Sequence, residues 1–229
     1  MHIPDGYLGP ATSGIMYAVM LPIWALASGI VKKTLRAKQV PVLAIGAAFS
    51  FVIMMFNVPI PGGTTGHAVG AVLVAILLGP WAACIAVTVA LVVQALLFGD
   101  GGITAIGANC FNMAFVEVFS GYFLYKLISG SSSIDSGRRV VAASIAGYIA
   151  LNIAALSTAI MFGIQLILHR AADGHALYCP YGLNVSIPAM LSEHLLIFGF
   201  VEGIVTALVI KYLQKQDLSL LKAEGAASG

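Results

Sequence analysis

The sequence predicts an all-α integral membrane protein. Of its 229 residues, 60% are hydrophobic and only 9% are charged, an apolar share above that of soluble domains. The apolar residues form long runs broken by glycine, proline and short charged clusters, which is typical of several membrane-spanning helices. The ten-residue alternation of an outer-membrane barrel is not evident. A polytopic helical bundle is therefore expected.

Seven spans are expected when each run is compared with the roughly 20 residues that a helix needs to cross a bilayer. Only the pair Gly79-Pro80 separates the third span from the fourth, but together these two are far too long for a single crossing. We therefore predict seven crossings rather than six. The candidate ranges are 14–31, 40–56, 66–78, 81–98, 111–127, 140–168 and 187–213.

Basic residues predict the orientation of these spans. Ten of the eleven Lys and Arg residues lie in the last turn of, or after, the first, fifth and seventh spans, and such residues concentrate in cytoplasmic loops. We expect residues 1–213 to form one membrane domain with its N-terminus outside, and residues 214–229 to form a short cytoplasmic tail. The loops 57–65, 99–109 and 170–186 are then outside as well. The ten basic residues are Lys32, Lys33, Arg36, Lys38, Lys126, Arg138, Arg139, Lys211, Lys215 and Lys222.

The first residues, MHIPDGYLGP, do not read as a cleaved signal peptide. No basic n-region is present, and Asp5, Gly6 and Pro10 precede any apolar run. Met1 should also be retained, because the usual aminopeptidase removes methionine only before a small residue and His2 is large. This segment is therefore expected in the mature chain.

Met1 and His2 together can chelate a metal ion. The α-amine of Met1, the nitrogen of the Met1-His2 peptide bond and Nδ1 of His2 would close one five-membered and one six-membered ring. The three coplanar nitrogens suit Ni(II) or Cu(II), and Co(II) less readily, whereas zinc prefers a tetrahedral set. A fourth donor is still needed.

His67 is the predicted fourth ligand. It follows the uncharged, glycine-rich stretch PIPGGTTGHAVGA at the outer mouth of the third span, and its glycines allow this loop to fold closely over a short N-terminal segment. A structural role for His67 is the open alternative.

Other polar residues carry weaker signals. The outer-mouth residues Asp100, Thr104, Asn109 and Asn112 are expected to line or cover the pocket, and helix capping by Asp100 or Asn109 is the alternative. Ionisable residues within spans are costly and therefore candidates for function. We expect Glu193 and His194 to form a buried pair between helices, with a transient metal relay as the alternative. The in-span residues are Glu117, Glu193, His194 and Glu202; His169 and His175 are expected to be solvated, and Cys84, Cys110 and Cys179 to be packing residues.

Four segments resemble the signature stretches of the CbiM/NikM family, the substrate-capture membrane subunits of energy-coupling-factor (ECF) cobalt and nickel importers. They are MHIPDGYLGP, PIPGGTTGHAVGA with the following LLGP, GDGGITAIGANCFNMA, and EHLLIFGFVEGIVTALV. The resemblance covers Met1 to about Lys211. It implies a seven-helix bundle of the ECF S-component type with an extra N-terminal helix, and a metal site made by Met1, His2 and His67. Cobalt-associated members usually read HIMEG where this chain reads HIPDG, which is similar to the nickel branch.

The expected function is capture and translocation of Ni(II) or Co(II) as a transported ligand, without catalysis or a catalytic cofactor. No GxxxxGK[ST] phosphate loop is present, so another chain would hydrolyse ATP. The resemblance implies a membrane T component, two ATPase subunits and a small helper protein as partners in the plasma (inner) membrane of a prokaryote. Faces carrying the small-residue pairs Ala25/Gly29 and Ala44/Ala48 could receive the T component. The rivals are an autonomous channel or secondary carrier and an intramembrane metalloenzyme, although no HExxH motif supports the latter.

Overall fold

The chain is a bundle of helices, as the composition predicts. The structure, a computed structural model, describes residues 1–216, Leu218 and Leu221. Lys222 and most of the expected tail 214–229 lie outside the described residues. Within them, the α-helical segments are α1 (Pro10–Thr34), α2 (Val40–Met54), α3 (Ala71–Leu78), α4 (Pro80–Val93), α5 (Ile106–Asn109), α6 (Val118–Ser129), α7 (Gly137–Gly163), α8 (Gln165–Leu168), α9 (Leu183–Glu193) and α10 (Gly199–Gln216).

Three wider π-helical turns continue these helices without a break. They are π1 (Gln94–Phe98) after α4, π2 (Cys110–Glu117) between α5 and α6, and π3 (His194–Phe198) between α9 and α10. A π turn adds one residue to a helical turn, so it changes the direction in which the following side chains point. The sequence periodicity gave no sign of these turns.

Each of the seven expected spans contains a helix. Five helical stretches are long and apolar enough to cross a membrane: Pro10–Thr34, Ala37–Met54, Pro80–Phe98, Gly137–Leu168 and Leu183–Gln216. The other two helices are the short α3 and the continuous stretch from α5 to α6, in which Asn109, Asn112 and Glu117 interrupt the apolar run.

The third span is shorter than predicted. Helix α3 begins only at Ala71, so Gly66 ends strand β2 and residues 67–70 have an irregular conformation at the predicted start of this span. At its other end, Gly79 has a positive φ of 82° and Pro80 opens α4. This glycine turn ends one helix and starts the next, because only glycine adopts that conformation without strain. The Gly79-Pro80 boundary is therefore confirmed.

The outer surface of the bundle is apolar. Phe56, Leu97, Leu127 and Leu196 are each at least 73% exposed. The core is instead filled by small and medium side chains, especially where α7 packs against α6, α9 and α10. A surface of large apolar side chains over such an area is unfavourable in water and favourable in lipid, so it indicates a membrane environment.

The polar loops gather at the end of the bundle that also holds the N-terminus. Strands β1 (Val58–Pro59) and β2 (Thr65–Gly66) form a two-stranded antiparallel hairpin in which Val58 lies opposite Gly66. This hairpin, the loop 99–105 and the loop 169–182 all contact the first nine residues, which we call the N-terminal strap. The strap therefore lies under a cover made from three loops.

Candidate metal centre

The N-terminal strap is buried rather than free in solvent. Met1 and Ile3 are fully buried and His2 is 3% exposed. The chain then turns at Asp5-Gly6, where Gly6 has a φ of 83°, and leads into α1. This turn, closed by a hydrogen bond from the Tyr7 backbone to the Pro4 carbonyl, returns the chain to the bundle.

The Met1 amine is held by Thr65. It donates to the Thr65 carbonyl and to Thr65 Oγ1, the latter at 3.1 Å. Burial lowers the pKa of this amine to about 4, and nearby carboxylates such as Asp100 only partly oppose that effect. The amine is then neutral at pH 7. Its two hydrogens are used by Thr65, which leaves its lone pair available for a metal ion.

The His2 ring is held in one tautomer. Its Nε2 lies 3.1 Å from Gln94 Oε1, and Gln94 in turn donates its Nε2 hydrogen to the Phe51 carbonyl at 3.3 Å. Because Gln94 thereby presents its oxygen to His2, the His2 proton belongs on Nε2. His2 Nδ1 is then a bare acceptor; it is buried, has no hydrogen-bond partner, and lies 3.5 Å from Asp100 Oδ1. Burial, and next the N-terminal amine, lower the pKa of His2 to about 3.

His67 has the complementary tautomer. Its Nδ1 lies 3.1 Å from the Ala68 carbonyl, to which it donates, so the lone pair is on Nε2. His67 Nε2 is also buried and has no hydrogen-bond partner. Burial is the main cause that lowers the pKa of His67, followed by the N-terminal amine. The ring centroids of His2 and His67 are 4.6 Å apart.

Three predicted ligands are therefore close together at the end of the bundle. Thr65, which holds the Met1 amine, is two residues before His67, and the His67 ring lies beside the His2 ring. The described residues contain no cluster of three or more His, Cys, Asp or Glu side chains suited to a metal ion.

Helix α3 is anchored just after His67. Glu202 Oε2, from α10, accepts the backbone hydrogens of Val69 and Gly70, each at 2.8 Å. A carboxylate at a helix N-terminus satisfies amides that have no partner within the helix and interacts favourably with its dipole. This contact crosses the bundle and fixes the irregular residues 67–70, which include His67.

The π turns place further polar side chains inside the bundle. Gln94 opens π1, Glu117 closes π2 and His194 opens π3, and all three are buried. Such turns are often found at functional sites, because they redirect a side chain without breaking the helix. Gln94 was not identified from the sequence, although a lone amide within the apolar run ALVVQALLF was a signal that could have found it.

The predicted Glu193–His194 pair is wrong. His194 Nδ1 bonds to the Met190 carbonyl at 2.7 Å, and the described residues show no ion pair between Glu193 and His194. Glu193 instead lies beside Gly66, where a Cβ would be 3.2 Å from its carboxyl carbon. Neighbouring residues on a helix point about 100° apart, which directs these two side chains to different surroundings.

The outer-mouth residues have different roles. Asp100 faces His2, Thr104 donates to Asp5, and Asn109 binds the backbone of Ile3. The N-cap of α5 is Ala105, and Asn109, which precedes π2, makes no side-chain cap bond there, so the capping alternative for Asp100 and Asn109 is wrong. Asn112 lies apart from them and interacts with Ser157 and Met161.

The remaining histidines and cysteines agree partly with expectation. His175 is exposed, as predicted, but His169 packs directly on the strap, since a Cβ at Gly9 would be 2.4 Å from its Nε2. The three cysteines, Cys84, Cys110 and Cys179, are buried and not in disulfides, which confirms the packing role.

Comparison with known proteins identifies the family. Residues 2–220 match the family CbiM, described as "Cobalt uptake substrate-specific transmembrane region". The chain is 50% identical, over 96% of its length, to the fused nickel transport protein NikMN of Rhodobacter capsulatus. It is 32% identical, over 98% of its length and 91% of that protein, to the cobalt transport protein CbiM of Thermosipho melanesiensis.

The fold is also shared with a solved structure. A crystal structure of a transition metal transporter is 52% identical and covers all of both chains with a TM-score of 0.91. The chain spans only 64% and 65% of the length of two fused nickel transport relatives, from Rhodobacter capsulatus and Lactiplantibacillus plantarum. Family members are transport proteins and not enzymes. The five apolar helices and the transporter family together indicate a multi-pass membrane protein, and the plasma (inner) membrane is consistent with transport. The chain belongs to the CbiM family of nickel and cobalt transport proteins.

Proposed function

We propose that the chain is the substrate-specific membrane subunit of an ATP-driven ECF-type importer, and that it binds Ni(II), or Co(II), through the N-terminus and His67. The observation that carries this proposal is a pair of buried imidazole nitrogens without partners, His2 Nδ1 and His67 Nε2, on rings 4.6 Å apart beside a neutral amine. Buried acceptors without partners are costly, and a metal ion would use both lone pairs.

Nickel fits this donor set best. The Met1 amine, the Met1-His2 peptide nitrogen and His2 Nδ1 would supply three corners of a plane, and His67 Nε2 the fourth. Deprotonation of the peptide nitrogen creates a strong ligand that favours planar Ni(II) over Co(II). The name of the Rhodobacter relative, a nickel transport protein, agrees with this preference.

The proposed orientation places the strap end outside the cell. Residues 1–213 would form one membrane domain with its C-terminus in the cytoplasm, in agreement with the basic residues at the opposite end of the bundle. Because the site is buried, the strap and its three covering loops must separate for the ion to pass. The T component and two ATPases would drive the release inward, with a small helper protein assisting. Ala25, Gly29, Ala44 and Ala48 lie on exposed helix faces suited to such a partner.

The test of the site is nickel binding by purified variants. His2→Ala, or one residue inserted ahead of Met1, should abolish high-affinity binding, because each removes part of the chelate. The exposed His175→Ala is the matched control and should bind as the original chain does. Stoichiometric binding retained in either test variant would contradict the proposal.

The test of energy coupling is uptake into liposomes. The chain alone should not accumulate nickel, and addition of the T component, ATPases and ATP should restore uptake. Concentrative uptake by the chain alone in nucleotide-free liposomes would instead show an autonomous carrier.

A further inference from the structure

The buried side-chain amide of Asn109 holds the strap at Ile3, the residue that follows the proposed ligands Met1 and His2. Asn109 Oδ1 accepts the Ile3 backbone hydrogen at 2.8 Å, and Asn109 Nδ2 donates to the Ile3 carbonyl at 3.1 Å. The side chain thus pairs with both backbone groups of one residue, as a neighbouring strand would. Asn109 is 2% exposed and Ile3 is fully buried, so water does not compete for these bonds.

The loop before Asn109 is shaped to receive the strap. Gly102 donates its backbone hydrogen to the same Ile3 carbonyl at 2.9 Å. A Cβ at Gly102 would lie 2.3 Å from the backbone nitrogen of Asp5, and one at Gly101 would lie 3.2 Å from the His2 ring. Side chains at these two positions would therefore push the strap away from the loop.

A second fastening lies two residues farther along the strap, at its exposed side. The Asp5 carboxylate accepts the backbone hydrogens of Ile103 at 3.1 Å and Thr104 at 2.9 Å, and also the Thr104 hydroxyl. Asp5 and Asn109 thus fix the chain on both sides of Pro4. The direction in which Ile3 leaves the loop then determines where His2 and Met1 point.

We propose that Asn109, assisted by Asp5, is a positioning residue for metal capture: it holds Ile3 so that His2 Nδ1 and the Met1 amine already face His67 before the ion arrives. Asn109 does not touch the metal. A chain terminus of two residues would otherwise sample many conformations, and ordering it in advance removes that entropy cost from binding. This inference rests on the proposed function, since it assumes that the strap binds the ion.

The test compares Asn109→Ala with Asn152→Ala in the purified full-length chain, using NiCl2 as the probe. Asn152 is a buried asparagine that donates to the Tyr148 carbonyl within α7 and does not contact the strap, so it is a matched control. Loss of two buried hydrogen bonds should lower the nickel affinity of Asn109→Ala by about tenfold to a hundredfold. Nickel dissociation should become faster, and the absorption band of planar nickel should weaken. Asn152→Ala should keep the original affinity and spectrum.

Asp5 is exposed, so its substitution provides a second test if Asn109→Ala does not fold. Asp5→Ala should also weaken nickel binding and accelerate dissociation, whereas Asp135→Ala, an equally exposed acid in the loop at the other end of the bundle, should do neither. Unchanged affinity and spectrum in both strap variants would refute the positioning role. Equal losses in Asn109→Ala and Asn152→Ala, in proportion to their thermal stability, would show a structural role only.

Failure of this inference can be told apart from failure of the proposed function. If His2→Ala still binds nickel, the site itself is wrong, whatever Asn109 does. If His2→Ala abolishes binding and both strap variants bind normally, only the positioning role is wrong.

Discussion

Replacement of Gln94 by leucine should switch the His2 ring into a tautomer that cannot bind metal. Gln94 Oε1 is the acceptor that keeps the His2 proton on Nε2, at 3.1 Å. Without it, the proton can move to Nδ1, where Asp100 Oδ1 lies only 3.5 Å away and attracts it. A ring protonated on Nδ1 cannot close the chelate. Gln94→Leu therefore weakens nickel binding although every proposed ligand is still present.

The expected loss follows from this one contact. Removal of a group that orients a metal-bound histidine costs about 10- to 100-fold in affinity, which corresponds to about 1.4–2.7 kcal/mol. Competitive titration of the purified chain with a nickel chelator measures this range directly. Gln94→Glu preserves an acceptor for the Nε2 hydrogen and should keep most of the affinity.

Two results would contradict this role of Gln94. One is a Gln94→Leu variant that binds nickel with the original affinity and spectrum. The other is equal loss in Gln94→Leu and Gln94→Glu, because the second variant retains the acceptor and should preserve the tautomer.

Three further predictions concern protonation, the strap and partner docking. The Met1 amine and His2 have lowered pKa values of about 4 and 3, so both are already neutral at pH 7. Nickel binding should therefore release about one proton, from the peptide nitrogen. Calorimetry in buffers of different ionisation enthalpy measures this number, and release of two or more protons would contradict the prediction. Protonation of the Met1 amine and of His2 should weaken nickel binding only as the pH falls toward 4. Gly102→Ala should weaken nickel binding about tenfold or more by displacing the strap, whereas Gly14→Ala, with open space around its Cβ, should not. Leucine at both Ala25 and Gly29 should leave nickel binding intact and reduce ATP-dependent uptake by the assembled transporter; normal uptake would exclude this face as the docking surface.

The fold could be predicted largely because lipid imposes simple rules. Apolar runs of sufficient length marked the spans, and the Gly79-Pro80 pair correctly separated α3 from α4. The start of α3 was placed at Gly66 instead of Ala71, since hydropathy does not register the irregular backbone that Glu202 stabilises from α10. That contact joins residues more than 130 positions apart, and no local pattern encodes it.

The ligands were easier to predict than the residues that hold them. Met1, His2 and His67 followed from chelate chemistry, which depends on residue type and position near the terminus. Gln94 and Asn109 act through tautomer and backbone geometry, and both depend on how π1 and α5 are packed against the strap. A single sequence contains these residues but does not show which contacts they make.

X-ray absorption at the nickel edge of the metal-loaded, purified chain reports the element, the geometry and the nitrogen count of the proposed site together. We predict one Ni(II) ion per chain with four nitrogen neighbours in a plane, and loss of this signature in His2→Ala. A tetrahedral or six-coordinate ion with mainly oxygen neighbours, or an unchanged signature in His2→Ala, would contradict a site built from Met1, His2 and His67.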